Sequence, residues 1–406
     1  MAGKADLRPG SLGRTGLRRV LATLCATEIT SWGILYYAFP VLMTEISTTT
    51  GWSKTVLTAA FSAGQLAAAA TGIPVGRWLD RHGPRAVMTA GSALAVAAAV
   101  TIGTAGHLAW FIVGWLAAGV AMGAVLYPPA FAALTHWYGE RRVRALTILT
   151  LAGGLASTVF APLTAWLTSQ LGWRDTYLVL AAVLAVVTVP AHWWGLRGAW
   201  PSSERPALAN RQDAPHRVLR SRQFIVLLVS LALAAFAGYA AVINTVPLLL
   251  ERSISVGAAS VALGLGGVGQ VLGRLGYAAL GRRTKASTRT AVILLASGFT
   301  TALLGLLTST FALIGAVLLA GTARGMFTLL QATAVADRWG TAHYGRLTGV
   351  LSAPLAVTIA LAPWVGTFLA SVLGGFSPMF LVLACAAVVA SALALGSATP
   401  TDRGSV

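Results

Sequence analysis

Long apolar segments separated by short polar turns dominate this chain. No Asp, Glu, Lys or Arg occurs in the stretches 55–76, 86–139 and 347–401. A helix that crosses a bilayer needs about 20 apolar residues, so each of the two longer stretches must hold two helices. The pattern as a whole predicts twelve membrane-spanning helices.

The predicted helices fall into two groups of six. In the first group the helices cover about 20–46 and 54–76, two divide 86–139 near Gly106, one covers 145–168, and the sixth ends near Arg197. The second group covers about 223–249, 256–280, 288–309, 311–336, 345–370 and 376–396. We therefore expect a basic tail at 1–19, a six-helix bundle at 20–197, a polar linker at 198–221, a second bundle at 222–397 and a tail at 398–406.

Composition supports a membrane protein. Hydrophobic residues make up 56% of the 406 positions and charged residues only 10%, whereas soluble proteins carry about 25% charged residues. The apolar segments have the length of helices, unlike the alternating segments of about ten residues that build a membrane barrel. The expected fold class is an all-α integral membrane protein in contact with the lipid bilayer.

The formal net charge of +18 is distributed unevenly. Lys54, Arg174 and Arg252 lie in one set of loops, Arg274 and Arg324 lie within predicted helices, and the remaining basic residues lie in the tails and the alternate loops. By the positive-inside rule this asymmetry places both termini in the cytoplasm. The charge thus predicts orientation in a cytoplasmic membrane and no nucleic-acid partner, and the preference for Arg over Lys indicates a bacterial source.

The sequence contains no set of residues that predicts an enzyme. The two cysteines, Cys25 and Cys385, lie in the predicted first and last helices without the spacing of metal ligands. Nucleotide-binding loops, nucleophile triads and paired catalytic carboxylates are absent from the sequence. We predict no metal, no cofactor and no catalytic activity, and we expect a monomer.

One charged turn between two apolar segments carries a recognisable motif. Gly76, Asp80, Arg81, Gly83 and Arg85 form the pattern Gly-x-x-x-Asp-Arg-x-Gly-x-Arg, which resembles the signature of loop 2–3 in the major facilitator superfamily. That resemblance implies two six-helix bundles flanking a site at mid-membrane. It also implies that the motif acts in a cytoplasmic gate.

Further stretches resemble the branch of monocarboxylate and oxalate/formate porters. They are Tyr37-Ala38-Phe39-Pro40, Gly51-Trp52-Ser53, Ala60-Phe61-Ser62, Gly83-Pro84-Arg85 and Gly172-Trp173-Arg174. This resemblance implies a secondary active transporter, a symporter or an antiporter, that moves a small organic anion of the monocarboxylate type by alternating access. Protons are a candidate coupling ion.

Three departures from the pattern keep an alternative open. Val41 and Gln270 stand where animal monocarboxylate transporters carry a lysine and an aspartate, and both of those groups are tied to proton-coupled transport. Leu163-Thr164 follows Ala161-Pro162 where drug–proton antiporters carry a glycine-rich signature. The alternative is a proton-coupled exporter of a hydrophobic or cationic drug or metabolite.

Three ionisable residues are predicted to lie at bilayer depth, where each needs a partner or a cavity. Arg274 matches the arginine that binds the substrate carboxylate in the resembled family, although it could instead extend its guanidinium group to the interface. Arg324 lies near the centre of its helix. Glu28 is its candidate partner, in a structural ion pair or a gating pair, and is also the candidate proton carrier.

Neutral polar and aromatic residues could complete the predicted substrate site. Any of them could equally pack between helices or form interhelical hydrogen bonds. The candidates are Tyr36, Tyr37, Tyr127, Asn244, Gln270 and Gln331.

Overall fold

The computed structural model describes residues 12–200, 214–340 and 344–398. We refer to residues 12–200 as the first half and to residues 214–398 as the second half. Residues 1–11 and 399–406 of the predicted tails and residues 201–213 of the predicted linker lie outside the described residues. The described part of the linker ends in a short helix, α9, at Ala214–Leu219.

The first half consists of eight helical segments and two short irregular turns of helix. The segments are α1 (Arg14–Trp32), α2 (Ala38–Thr50), α3 (Lys54–His82), α4 (Pro84–Gly103), α5 (Leu108–Val125), α6 (Tyr127–Tyr138), α7 (Arg142–Gly154) and α8 (Ala156–Gly195). A π-helical turn, Gly33–Tyr37, joins α1 to α2, and a 3₁₀ turn, Gly139–Arg141, precedes α7.

The second half repeats this arrangement after α9. Its helices are α10 (Arg222–Glu251), α11 (Val256–Arg283), α12 (Ala286–Leu306), α13 (Thr310–Thr333), α14 (Ala336–Trp339), α15 (Tyr344–Leu373) and α16 (Phe376–Leu395).

Ten helical stretches in the described residues are long and apolar enough to cross a membrane. One of them, Arg142–Gly195, is 54 residues long, more than twice the length that a bilayer requires. Gly172, with φ 75° and ψ 169°, bends this stretch sharply. The helix from Arg14 to Thr50 is not among the ten; it is interrupted by the π-helical turn at Gly33–Tyr37.

The helix ends differ from the predicted boundaries at the charged turn. Helix α3 continues to His82, so Asp80 and Arg81 lie in its last turn and not in a loop. Gly83 alone connects α3 to α4, with φ 77° and ψ 175°, a conformation that favours glycine. The first helix likewise begins at Arg14, before the predicted position 20.

Glycines allow neighbouring helices to touch along their backbones within each half. A Cβ atom built on Gly119 of α5 would lie 1.9 Å from the carbonyl oxygen of Gly64 in α3. In the second half, a Cβ atom on Gly325 of α13 would lie 2.1 Å from the carbonyl oxygen of Gln270 in α11. Small residues at such contacts are typical of membrane helix pairs, which depend on close van der Waals packing.

The two halves also repeat a pair of glutamate contacts at the same end of the molecule. Glu45, near the end of α2, accepts a hydrogen bond from the backbone N–H of Trp173 at 3.1 Å. Glu251, at the end of α10, accepts one from the backbone N–H of Phe376 at 2.8 Å. In both cases a carboxylate occupies the positive end of a helix dipole. Within each half, this contact therefore joins the first long helix to the last helix.

Candidate functional site

The two ends of the helix bundle differ in their connections. We call the end that carries Gly83, the 3₁₀ turn Gly139–Arg141 and the α11–α12 connection at Thr284 the basic end. The opposite end carries Gly51, Gly172 and the connections after α10 and α15. A cavity of about 400 Å³ lies between the two halves. Thr348 and Ser352, near the start of α15, and Gln331, near the end of α13, line it, so the cavity extends toward the basic end.

Arg274 of α11 reaches from the second half into this cavity. Its side chain is buried, and one terminal nitrogen donates a hydrogen bond to the carbonyl oxygen of Thr150 in α7. Its Nε atom is buried without a hydrogen-bond acceptor. A buried guanidinium group with an unsatisfied donor next to a cavity can accept an anion as its missing partner.

Arg324 of α13 lies in the same cavity and contacts the π-helical turn. Its Nη2 atom donates to the Tyr37 hydroxyl at 3.1 Å. The guanidinium carbon lies 5.9 Å from the centroid of the Tyr37 ring and 5.3 Å from that of Tyr239, both within the range of cation–π attraction. Gln270 donates to the same Tyr37 hydroxyl at 3.4 Å. Tyr37 thus links the first half to two residues of the second.

The π-helical turn separates two adjacent tyrosines. Tyr37 lines the cavity. Tyr36 packs in the core of the first half, with its ring 5.3 Å from Trp32 and 5.4 Å from Phe61. Turns of this type often occur at functional sites, and this one presents only the second tyrosine to the interface.

Glu28 does not pair with Arg324 in this structure. Its side chain in α1 is fully buried, and neither carboxyl oxygen has a hydrogen-bond partner. The predicted ion pair is therefore absent, and the polar contact of Arg324 across the interface is with Tyr37. The sequence located both groups at bilayer depth but could not show how the helices are rotated.

Six of the predicted site residues line the cavity. They are Tyr37, Tyr127, Gln270, Arg274, Arg324 and Gln331. Asn244 does not: its side chain accepts a hydrogen bond from Thr367 at 2.8 Å and donates to the carbonyl oxygen of Ala240 at 2.9 Å. Asn244 instead joins α10 to α15, and Tyr36 packs in the core of the first half.

Several residues that line the cavity could not be identified as site residues from the sequence. Trp32, Phe131 and Tyr239 supply aromatic surface to the cavity, and Thr348 and Ser352 supply hydroxyl groups. Each lies in an apolar segment where aromatic and hydroxyl side chains are common. Only the packing of the helices distinguishes these residues from others of the same type.

The charged side chains among the described residues that line the cavity are all positive. Among the described residues that line it, two are arginines and none is Asp or Glu. The guanidinium groups contact neutral acceptors of the first half, the Thr150 carbonyl and the Tyr37 hydroxyl. An anion would compensate this charge, and a carboxylate matches the planar fork of a guanidinium group.

The charged motif of α3 lies at the basic end, away from the cavity lining. Arg85 donates to the carbonyl oxygen of Trp193 at 2.8 Å and stacks over that indole ring at 4.1 Å. Asp80 is exposed, and no ion pair involves it within the described residues. Both contacts of Arg85 are thus with another residue of the first half.

The halves meet at the opposite end. Lys54, at the start of α3, lies 5.6 Å from the centroid of the Phe376 ring and interacts electrostatically with Glu251. Deeper along α3, Ser62 accepts a hydrogen bond from the backbone N–H of Trp364 in α15 at 3.2 Å. These contacts join α3 to the second half on the side of the cavity away from the basic end.

Comparison with known proteins agrees with this architecture. A family model described as Major Facilitator Superfamily matches residues 21–310. Monocarboxylate transporter 13 of Bos taurus is 29% identical over 160 residues, 38% of this chain and 34% of the relative. The oxalate:formate antiporter of Oxalobacter formigenes is 24% identical over 260 residues, 63% of this chain and 60% of the relative. The chain thus spans about a third of the length of the bovine relative and about three fifths of the antiporter.

Solved structures with the same fold include two transporters. A bacterial homolog to the human lysosomal transporter Spinster, in an inward-facing and unoccupied conformation, has a TM-score of 0.77 and 15% identity, covering 95% of this chain and 98% of its own. A nucleoside transporter has a TM-score of 0.75 and 15% identity, covering 94% and 100%. At this identity the likeness concerns the fold alone.

The family predicted from the charged motif is confirmed, and the chain is a multi-pass membrane protein. The family match spans most of the chain, and proteins of this family are transporters and not enzymes. The chain belongs to the Major Facilitator Superfamily of secondary transporters.

Proposed function

We propose that this protein is a secondary active transporter that moves a small organic anion of the monocarboxylate type across the cytoplasmic membrane of a bacterium. The observation that carries the proposal is the pair of arginines, Arg274 and Arg324, in a cavity whose described lining contains no acidic residue. The relatives named monocarboxylate transporter and oxalate:formate antiporter support a carboxylate as the substrate.

The proposed topology has twelve membrane spans in two bundles, at 20–197 and 222–397, with both termini in the cytoplasm. The bend at Gly172 supports a division of the 54-residue stretch into two spans. The segment Arg14–Thr50 supplies the twelfth. The concentration of arginines at the basic end supports its assignment to the cytoplasmic side.

On this assignment the cavity opens toward the cytoplasm, and the contacts around Lys54 close the outer side. Alternating access requires the two bundles to rock about the site, so that contacts exchange between the two ends. Asp80, Arg81 and Arg85 would then join the cytoplasmic gate when the inner side closes. In the present state Asp80 is exposed, as expected for an open gate.

The anion binds in this proposal to donors that the cavity already presents. Arg274 is the principal carboxylate ligand, because its Nε atom has no acceptor and the carboxylate supplies one. Arg324, held by Tyr37, supplies the second positive charge. Glu28 is the proposed proton carrier, since an ionised carboxylate at bilayer depth is costly without a partner.

A thermal-shift experiment on the purified protein tests the proposal. Formate, acetate and lactate should raise the unfolding temperature, whereas their neutral amides should not. Arg274→Ala should abolish the shift, and Arg282→Ala, which removes an exposed arginine at the basic end, should leave it intact.

The opposite pattern would favour the exporter. If no carboxylate stabilises the protein and a lipophilic cation does, equally in wild type and Arg274→Ala, the anion proposal is wrong. The aromatic rings of Trp32, Phe131 and Tyr239 would then account for the binding.

A further inference from the structure

A second concave site lies at the basic end, separate from the central cavity. It is a groove of about 390 Å³ between α1 and the segment formed by α6 and α7. None of the described residues that line it lines the cavity between the halves. The groove is therefore distinct from the proposed substrate site.

Four arginines surround this groove: Arg14 and Arg18 of α1, Arg141, and Arg144 of α7. All four side chains are exposed, and none has a hydrogen bond or ion pair with another described residue. Arg19 shows the contrast, because its guanidinium group donates to the carbonyl oxygens of Gly195 and Arg197 at the end of α8. Among the described residues, none compensates the charge around the groove.

The floor of the groove is apolar. Leu17, Leu21, Ala145 and Ile148 form it, and Ile148 remains 38% exposed. Tyr138 closes one side and donates from its hydroxyl to the carbonyl oxygen of Leu17 at 2.8 Å. The groove thus combines a positively charged rim with hydrocarbon surface directly beside it.

We propose that this groove binds an anionic phospholipid, with the phosphate among the four arginines and the first part of an acyl chain along Leu21 and Ile148. Arginine pairs with phosphate through two parallel hydrogen bonds, and basic pockets between membrane helices are suited to anionic headgroups. The apolar floor favours a lipid over a soluble anion, because only a lipid brings a hydrocarbon chain to cover it. The inference does not depend on the identity of the transported substrate.

Native mass spectrometry of the detergent-purified protein tests this site. The protein is mixed with equal amounts of phosphatidylglycerol and phosphatidylcholine that carry identical acyl chains. Wild type should retain phosphatidylglycerol preferentially, and the double change Arg18→Gln with Arg144→Gln should weaken this binding about fivefold for each arginine removed. The matched control, Arg282→Gln with Arg283→Gln, removes the same charge from exposed positions on the same end of the second half.

Two further arms distinguish a lipid site from a general attraction to positive charge and from a site for free phosphate. Arg18→Lys with Arg144→Lys keeps the charge but loses the planar fork, and should retain less phosphatidylglycerol than wild type but more than the glutamine pair does. Inorganic phosphate at millimolar concentration should not displace the lipid. Equal losses in the two glutamine pairs, no preference in wild type, or displacement by phosphate would each overturn the proposal.

Discussion

The Tyr37 hydroxyl accepts hydrogen bonds from Arg324 at 3.1 Å and from Gln270 at 3.4 Å. A tyrosine hydroxyl has one proton to donate in addition to its acceptor lone pairs. Because both contacts use Tyr37 as the acceptor, its proton remains available to a ligand in the cavity. Tyr37 therefore both orients Arg324 and offers a further donor to the proposed carboxylate.

Tyr37→Phe should weaken carboxylate binding while leaving the fold intact. The change removes a hydrogen bond to a charged group, worth about 1.5–3 kcal/mol, so the dissociation constant should rise roughly 10- to 150-fold. Tyr36→Phe is the matched control, because the Tyr36 hydroxyl is buried without a partner and does not line the cavity. Titration calorimetry with both variants measures the difference, and equal affinities would contradict the role assigned to Tyr37.

Glu28→Gln should uncouple transport from the proton gradient without abolishing carboxylate binding. Glutamine keeps the shape of the buried side chain but cannot carry a proton through the cycle. Uptake into proteoliposomes, measured with and without an imposed pH gradient, should respond to the gradient in wild type and not in the variant. The same response in both proteins would remove Glu28 from the coupling mechanism.

The sequence was sufficient to place the charges of the site but not their partners. Arg274 and Arg324 stood out because an ionisable group at bilayer depth is energetically costly and needs a partner or a cavity. Their contacts depend on helix rotation, which the π-helical turn at Gly33–Tyr37 alters locally, and apolar periodicity does not encode such a turn. The pairing of Arg324 with Tyr37 therefore had to come from the structure.

Neutral residues were harder to assign from the sequence. Tyr36 and Tyr37 are adjacent and chemically identical, yet one packs in the core and the other lines the cavity. Asn244 was a candidate because it is a neutral polar residue in a predicted helix, but it bonds to Thr367 of a neighbouring helix. An amide satisfied by a second helix and an amide that awaits a ligand look the same in a sequence.

Lys54→Gln should favour opening at the end opposite the basic end. Lys54 of the first half attracts Glu251 of the second half and lies over the Phe376 ring, also in the second half. Both interactions depend on the charge of the lysine, so the glutamine variant loses them. Partly exposed contacts of this type are worth about 0.5–1 kcal/mol, which corresponds to a two- to fivefold change in population. Spin labels at Thr55 and Ser371, with Cys25 and Cys385 replaced, should show a larger long-distance population in the variant.

The control for that experiment is Lys285→Gln, which removes an exposed lysine at the basic end. Its distance distribution between the same two labels should match that of wild type. An unchanged distribution in Lys54→Gln would show that packing of α3 against α15 closes this end without the lysine.

Gly325→Ala should destabilise the protein, whereas Gly315→Ala in the same helix should not. The new methyl group at position 325 would overlap the Gln270 carbonyl oxygen, while position 315 has no atom within 4 Å. The overlap at position 325 should cost about 1–3 kcal/mol. At position 315, which is open, alanine is more favourable in a helix than glycine by up to about 1 kcal/mol. Unfolding temperatures in detergent should fall for the first variant and stay level or rise for the second; equal temperatures would refute the contact.

The two glutamate contacts at the end opposite the basic end bear on the order in which the chain assembles during synthesis. Glu45 must wait for Trp173, 128 residues later, and Glu251 for Phe376, 125 residues later. Each half is consequently complete only when its last helix leaves the ribosome, but neither contact involves the other half. The first half can therefore close around Glu45 before the last helix of the second half has been made.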